Sequence, residues 1–529
     1  MLLSKKKPIP AKPEQKTSFK IDLTQKIFYL PDIKVREKLD VRYPLIEPYV
    51  YAHIYWDRKN HELVYDLDEP ALSKDEEKVL DIIEKSMEEL INISFIAMKS
   101  PEIVLEYLEK NIRVLLNEFK IKVNEDSFLK IMYYIYRDFV GLNEIEPFMR
   151  DYYIEDVECN GVNSSVYIVH RKYRNIRTNV KFTNITRLSG FVEKLAQKCG
   201  KYISYATPLL DGALPDGSRV NATYTQDITS KGPTFTIRKF TKTPFSPITL
   251  IGLRTVSPEV LAYLWLLIEY ESNILVIGGT GSGKTSFLNA LAFFIPPSAR
   301  VVSIEDTREL NLMHENWLPS VARQGIGASN LYGEKHGEVS LFELLKESFR
   351  QRPDYVIVGE IRGKEAFVLF QGMSSGHPSF GTMHAEDVET MIRRLETPPI
   401  NLSPSLVESL DAAVIMTQVK LRKKPTRRVK EITEIIKVSQ KVGGAVTNAP
   451  FIWNPANDKF YFKTDSKIFS KIVVNQGISR QRLSLEFRRR TLLLMKMHTA
   501  GINNPKQVQD IISAYYKTPR RVLQKFNIQ

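Results

Sequence analysis

The sequence predicts an α/β protein whose parallel-sheet core follows α+β N-terminal domains, and three observations carry that expectation. Its 529 residues exceed the roughly 250–300 at which a single hydrophobic core stops growing, so about two to four domains are expected. Beyond residue 254, short unbroken apolar runs (NILVIGG, RVVSIED, DYVIVGE) alternate with helical stretches, the pattern of strands covered on both faces. Before residue 240 the strand-like runs are aromatic and β-branched, as in YPLIEPYVYAHIYW and ELVYDL, and lie among amphipathic helices, which reads as α+β.

Hydrophobic residues make up 43% and charged residues 26% of the chain, which excludes collagen-like and disordered acidic classes. The net charge of +14 favours acidic surfaces, whether nucleic acid, anionic lipid headgroups or an acidic partner, without choosing among them. Cys159 and Cys199 lack CxxC spacing, so neither a disulfide framework nor a thiolate zinc site is expected, and both read as small buried apolar residues. No apolar run of signal-peptide length follows Lys5, Lys6 and Lys7. The most apolar segment elsewhere, Val260 to Ile268, stops at Glu269, short of the ~20 residues a membrane-spanning helix needs. The chain is therefore expected to meet any membrane from outside the bilayer.

Residues 1–30, rich in Lys and Pro, read as a flexible basic arm. Residues 31–123 are expected to form a first α+β subdomain, in which Ser73 and Glu76 make a capping box. That box opens a helix carrying Val79, Leu80, Ile83, Met87, Leu90 and Ile91 at helical spacing. Residues 124–240 are expected to form a second α+β domain. Phe128, Met132, Ile135 and Phe139 mark a helix there, and IEDVECNG, SVYIVHRKY, RVNATYT and TFTIRKF read as strands around a helix near Phe191 to Lys198. Pro244 and Pro247 interrupt both periodicities in TKTPFSPITL, which places a linker at 241–253. The sheet core then occupies 254–440, and 441–529 returns to mixed, largely helical and basic sequence. No fixed-period repeat is found.

The strongest chemical signal is GGTGSGKT, Gly278 to Thr285. It fits GxxxxGK[ST] and sits between an apolar strand and a helix, so main-chain N–H groups are expected to curl around phosphates with the helix N-terminus pointing at them. Gly278, Gly279, Thr280, Gly281, Ser282, Gly283, Lys284, Thr285 and Ser286 are the expected contacts to ATP. Lys284 should reach the β and γ phosphates, and Thr285 should offer its hydroxyl to Mg²⁺. The next strand ends in Glu305, Asp306, Arg308 and Glu309, beside the P-loop strand at the carboxyl edge where open α/β sheets bind ligands. A carboxylate there is placed to polarise the attacking water. In DYVIVGEIRG, Gly359 stands where most P-loop ATPases carry the Asp that helps hold Mg²⁺, and Glu360 follows. Glu360 is therefore expected to reach the metal directly or through water. His377 and His384 lie among small residues in GHPSFGTMHAED without metal-ligand spacing. Read as a sensor, His384 sits near the γ phosphate.

In this order, GGTGSGKT, IEDTREL, VIVGEIRG and GTMHAED resemble the Walker A, Asp box, Walker B and His box of the type II/type IV secretion ATPase superfamily. The Gly-Glu form of the Walker B strand agrees with that family. Upstream, RDFVGLNEIEPFMRDYYIEDVECNG, LPDGSRVNAT and GPTFTIRKF resemble its archaeal branch, which includes archaellum motor and archaeal pilus ATPases. The resemblance covers roughly residues 40–520. It implies a RecA-like P-loop core and ATP hydrolysis coupled to mechanical work. It matches Glu309 to the catalytic glutamate of the Asp box, with Glu305 and Asp306 in support and Glu305 beside Thr285 and Glu360 at the metal. Glu360 matches the Walker B glutamate and His384 the His-box histidine.

Arg219 and Arg238 occupy motifs whose arginines, in this family, reach the terminal phosphates from the second N-terminal domain. Arg323, Arg350 and Arg352 stay open between site and surface roles. The resemblance further implies a homo-hexameric ring at the cytoplasmic face of the membrane, docked on a polytopic membrane platform protein. ATP would lie between two domains that swing apart about the linker once the γ phosphate is cleaved. The alternative is a nucleic-acid translocase or helicase, since the chain is basic and such motors share the core; the lack of a recognition motif or aromatic platform argues against nucleic acid. Contact of the basic arm and of Arg480 to Arg521 with anionic lipid stands beside the reading of both as solvated faces.

Overall fold

The computed structural model describes residues 19–23, 25–31, 36–90, 101–240, 243–323, 325, 336–421, 424–439 and 444–529. They fall into two units, Met1–Phe240 and Thr241–Gln529, each built on a nine-stranded sheet. In the first unit the strands are β1 (Asp40–Ile46), β2 (Val50–Asp57), β3 (Glu62–Asp68), β4 (Ile154–Cys159), β5 (Ser165–His170), β6 (Arg174–Lys181), β7 (Leu209–Ala213), β8 (Arg219–Thr223) and β9 (Thr234–Arg238). Their order is β1-β2-β3-β6-β5-β4-β9-β8-β7. Neighbours are antiparallel except β3 and β6, which meet in parallel through Val64↔Arg177 and Tyr65↔Thr178. Burial alternates along β5, where Val166, Ile168 and His170 are enclosed and the residues between them are half-buried, as in a sheet with one covered face. Helices Lys74–Leu90, Pro101–Glu118, Glu125–Ile135 and Ile185–Lys198 accompany it. The first opens on the expected capping box: the Ser73 N–H donates to Glu76 Oε2 at 2.7 Å and the Glu76 N–H to Ser73 Oγ at 3.3 Å. Ile91 lies outside the described residues.

Two boundaries in this unit are corrected. The expected division between 31–123 and 124–240 is absent, because one sheet runs through both spans and one apolar cluster joins Phe19 to Ile237. The pairing of β3 with β6 is non-local and leaves no periodic trace in sequence. The basic arm also ends before residue 19: Phe19 and Leu30 are buried, while Ile21, Leu23 and Phe28 pack against the same cluster. Asp22 makes an isolated bridge to Glu47. A few spaced apolar residues suffice there because the sheet supplies the other surface. Residues 1–18 lie outside the described residues.

The second unit contains β10 (Ile274–Gly278), β11 (Val301–Glu305), β12 (Trp317–Val321), β13 (Tyr355–Ile361), β14 (Ser379–Met383), β15 (Ala412–Leu421), β16 (Lys424–Val438), β17 (Ala445–Asn454) and β18 (Lys459–Phe462). The order is β12-β11-β13-β14-β10-β15-β16-β17-β18. The first six in that order are parallel, with the P-loop strand β10 between β14 and β15, which is the RecA-like arrangement. The remaining strands continue antiparallel. Ile274 and Val276 enter one apolar cluster and Leu275 and Ile277 another, so the sheet is covered on both faces, as its unbroken apolar runs require.

The linker is shorter than expected. Pro247–Gly252 is a helix capped by Ser246, with Ile248, Leu250 and Ile251 buried. Pro247 occupies the first helical positions, where its missing N–H has no intrahelical partner to lose, so it starts a helix here where the sequence reading took it for a breaker. Residues 241 and 242 lie outside the described residues. Helix Pro258–Glu269 is enclosed from Val260 to Ile268, and no described helix is long and apolar enough to cross a membrane. Helices Lys467–Gln476, Arg480–Thr499, Pro505–Lys517 and Pro519–Lys525 end the chain. Within the second of these, Arg490 departs from the solvated reading. It is buried, pairs with Glu269 and lies 4.8 Å from the Trp265 ring centroid.

Candidate functional site

Between β10 and helix Lys284–Leu291 the backbone takes a path that depends on glycine. Gly278 has φ +155°, and a Cβ there would lie 2.4 Å from the Met416 carbonyl oxygen. Gly283, the helix N-cap, has φ +91°, which L side chains rarely adopt. Ser282 Oγ donates to the Gly279 carbonyl at 2.8 Å, and Lys284 Nζ donates to the same oxygen at 3.1 Å. The lysine is thereby folded back over the loop. Thr285 and Ser286 are half-buried in the first helical turn, where unsatisfied N–H groups and the helix dipole suit phosphate.

The ends of β13 and β14 face this lysine. Lys284 Nζ is 3.3 Å from His384 Nδ1, and His384 Nε2 is 3.0 Å from Glu360 Oε1. The second contact is close but poorly aligned, and Glu360 Oε1 stays buried without a hydrogen-bond partner. Arg362 donates to Glu360 Oε2. Burial pushes the Lys284 ammonium down from its ordinary range, opposed by the Glu360 and Glu309 carboxylates. Burial, and then the Lys284 charge, hold His384 below its ordinary value. Lys284 Nζ can only donate, so this contact requires His384 Nδ1 to accept. Glu365 fixes the following turn by accepting the N–H groups of Arg362 at 2.6 Å and Gly363 at 2.7 Å. Thr382 Oγ1 donates to the Gly359 carbonyl at 2.6 Å.

Glu305 closes β11 and is 2% exposed. Its Oε1 accepts the N–H groups of Glu309 at 2.9 Å and Leu310 at 2.8 Å, which fastens the turn presenting Glu309. Asn289 of the P-loop helix holds the same turn, donating to the Glu309 carbonyl at 3.4 Å and accepting the Asn311 N–H at 3.0 Å. A Cβ at Gly359 would sit 3.0 Å from Glu305 Cγ, so a side chain there would need the Glu305 side chain of the neighbouring strand to shift. Burial pushes the Glu305 carboxyl up to about 7, against the two N–H donors that lower it, and its Oε2 is buried without a partner.

Arg219 and Arg238 belong to the first unit, where they are direct cross-strand neighbours on β8 and β9. Arg219 pairs with Asp211 at 3.1 Å and Arg238 with Asp156 at 3.3 Å. Of the arginines left open, Arg350 is exposed beside Glu347 at 3.6 Å and Arg323 donates to the Gly337 carbonyl at 2.7 Å. Cys159 is buried and Cys199 half-buried, both free. Among the described residues no group of three or more His, Cys, Asp or Glu is arranged to hold a metal; an ion carried in by phosphates needs only one or two protein oxygens. Sequence reading missed Asn289, Glu365 and Thr382, which act through backbone contacts and carry no motif. It also missed Gln418 and Arg427, cross-strand neighbours on β15 and β16. Arg427 Nε donates to the Gly281 carbonyl at 2.8 Å, and Gln418 Oε1 lies 3.2 Å from where a Gly281 Cβ would be.

The family model for type II/IV secretion system protein matches residues 141–455. An uncharacterized protein of Methanocaldococcus jannaschii is 36% identical over 519 residues, covering 92% of each chain. The type IV secretion system protein PtlH of Bordetella pertussis is 30% identical over 283 residues, covering 47% of this chain and 81% of its own. Among solved structures, the ATPase DotB of Legionella pneumophila aligns over 68% of this chain and 92% of its own, with 17% identity and a TM-score of 0.39.

Proposed function

The chain belongs to the type II/IV secretion system protein family, and on that premise we propose that it is an ATP-hydrolysing, homo-hexameric motor at the cytoplasmic face of the membrane. It powers assembly of a type IV pilus-like filament, an archaellum or archaeal pilus, or secretion, through a polytopic membrane platform protein. One observation supports the catalytic part above all others: Lys284, His384 and Glu360 form a run of contacts beside the P-loop. Phosphoryl transfer asks little covalent work of the protein, so positioned charge and an oriented water do most of the catalysis. Lys284 turns from the Gly279 carbonyl and His384 to the β and γ phosphates, Glu309 orients the water, and Glu360 and His384 respond to the γ phosphate. Bound Mg²⁺ neutralises charge on those phosphates. Thr285, Glu305 and Glu360 are the residues that would hold it, and Glu305 Oε2 and Glu360 Oε1 are buried oxygens still lacking a hydrogen-bond donor.

Arg219 and Arg238 exchange Asp211 and Asp156 for the γ phosphate. When that phosphate is cleaved, part of their attraction is lost and the two units separate, which is the working stroke. ATP must favour the closed state more than ADP does, or no work is delivered. The test is a pair of spin labels at Ile228 and Arg350, both exposed, with Cys159 and Cys199 replaced by alanine. One separation is expected with ATP trapped in Glu360→Gln and a different one with ADP. The same separation in both states removes the motor.

A further inference from the structure

The C-terminal part of the second unit contains an apolar groove that the nucleotide chemistry does not use. Its volume is about 530 Å³, within the range of pockets that take a substantial ligand. Phe451 of β17, Phe462 of β18, Phe469 and Val474 of helix Lys467–Gln476, and Leu483 and Phe487 of helix Arg480–Thr499 line it. Its floor is already satisfied. The enclosed Glu434 carboxylate accepts from Tyr263 Oη at 2.7 Å, from Ser466 Oγ, and from the N–H groups of Lys467 at 2.9 Å and Ile468 at 3.2 Å. The unsatisfied part is apolar and open to water: Phe462 is 60% and Val474 78% exposed. Large apolar groups gathered at one place on a surface mark a contact site.

Two further observations say what covers it. β18 is the last strand of its sheet and pairs only with β17 among the described residues, which leaves the outer N–H and C=O groups of an aromatic edge strand open to another chain. Residues 459–490 carry nine Lys and Arg against two carboxylates, Asp465 and Glu486. Arg490 is buried against Glu269, Lys471 pairs with Asp411, Arg480 with Asp465 at 2.7 Å on the groove's rim and Arg489 with Glu486 at 3.1 Å. Lys459, Lys463, Lys467, Arg482 and Arg488 are exposed outside those pairs, so the surround is cationic. We infer that the groove and the β18 edge dock an extended acidic segment of a partner protein, which adds a strand beside β18 and seats one large apolar side chain against Phe462 and Val474. The edge favours polypeptide over lipid, because an acyl chain fills the groove yet leaves the outer backbone groups of β18 unpaired. The charge favours Asp and Glu around the apolar anchor.

The probe is a short fluorescein-labelled peptide alternating glutamate with leucine and phenylalanine, titrated against the full chain by anisotropy. A counterpart with lysine in place of glutamate and vesicles of phosphatidylglycerol are the comparisons. Saturable binding of the acidic peptide is expected, weakened about tenfold or more, or 1.4 kcal/mol per decade, by Val474→Glu and by Phe462→Ser. ATP turnover in both variants should match the parent, which shows that they are folded. Equal binding of the lysine peptide, peptide binding that survives both substitutions, or vesicle binding without peptide binding overturns the inference. The turnover readout keeps such a failure distinct from any failure of the motor reading.

Discussion

The two sheets have equal strand numbers and opposite logic. In the first, every neighbouring pair but β3 and β6 is antiparallel and burial alternates along strands such as β5, so polar residues can stand between the enclosed ones, and the two candidate arginines meet across one ladder with carboxylate partners. In the second, β10, β11 and β14 are buried at every position, so ionisable groups appear where strands run out: Glu305 at the end of β11, Glu360 near the end of β13 and His384 just past β14. Parallel strands bring all those ends to one edge. An antiparallel sheet interleaves starts and ends, and here offers a pair of cations where the parallel sheet offers a convergent site.

That contrast breaks most easily at Glu360. Glu360→Gln should keep ATP bound while turnover falls on the order of 10²–10³-fold, the scale for removing one group that stabilises a transition state. Steady-state turnover near the parent's would place the chemistry elsewhere. A smaller effect belongs to the first sheet. Arg219→Ala and Arg238→Ala remove side chains from outside the apolar cluster, so each unit should fold. Turnover should drop about tenfold to a hundredfold, what a hydrogen bond to a charged group contributes. Unchanged turnover in both would confine the machinery to the second unit and end the comparison in its present form.

The second sheet was the more legible of the two. A strand buried on both faces writes an unbroken apolar run, and the P-loop writes a glycine spacing, so β10, β11, β13 and the helix after Lys284 could be placed from sequence. The first sheet declared its strands but not its extent, since the β3 to β6 pairing and the packing of Phe19 and Leu30 are decided by surfaces far apart in the chain. Pro247 was misread because proline ends one kind of element and begins another, and only the buried helix after it tells which. In the site itself, the sequence shows Gly359 as a missing carboxylate; that the Glu305 side chain lies close against it is a contact between neighbouring strands. Arg427 touches the P-loop from a strand in the sheet's antiparallel extension, where a basic run carries no spacing that distinguishes it from a solvated face.

The smallest expected effect separates the two units by the sign of their response to pH. Burial pushes Glu305 up to about 7 from 4.5. Between those values the native state keeps a proton that the unfolded chain has released, so this residue's contribution is full below the lower value and is lost as pH rises through the higher. His170 of the first unit, whose Nδ1 accepts the N–H groups of Lys172 and Tyr173, is pushed by burial down to about 4 from 6.5. Its contribution is full above 6.5 and is lost as pH falls through 4. Acid therefore weakens the first unit at a residue whose counterpart in the second is weakened by alkali. Glu305→Gln keeps an oxygen for the Glu309 and Leu310 N–H groups but cannot titrate. In thermal unfolding of the second unit, the Tm of the parent relative to this variant should be higher by a few degrees at about pH 5 than at about pH 8. A difference that does not move with pH, or moves the other way, would mean that Glu305 is ionised in the folded protein and compensated by a partner.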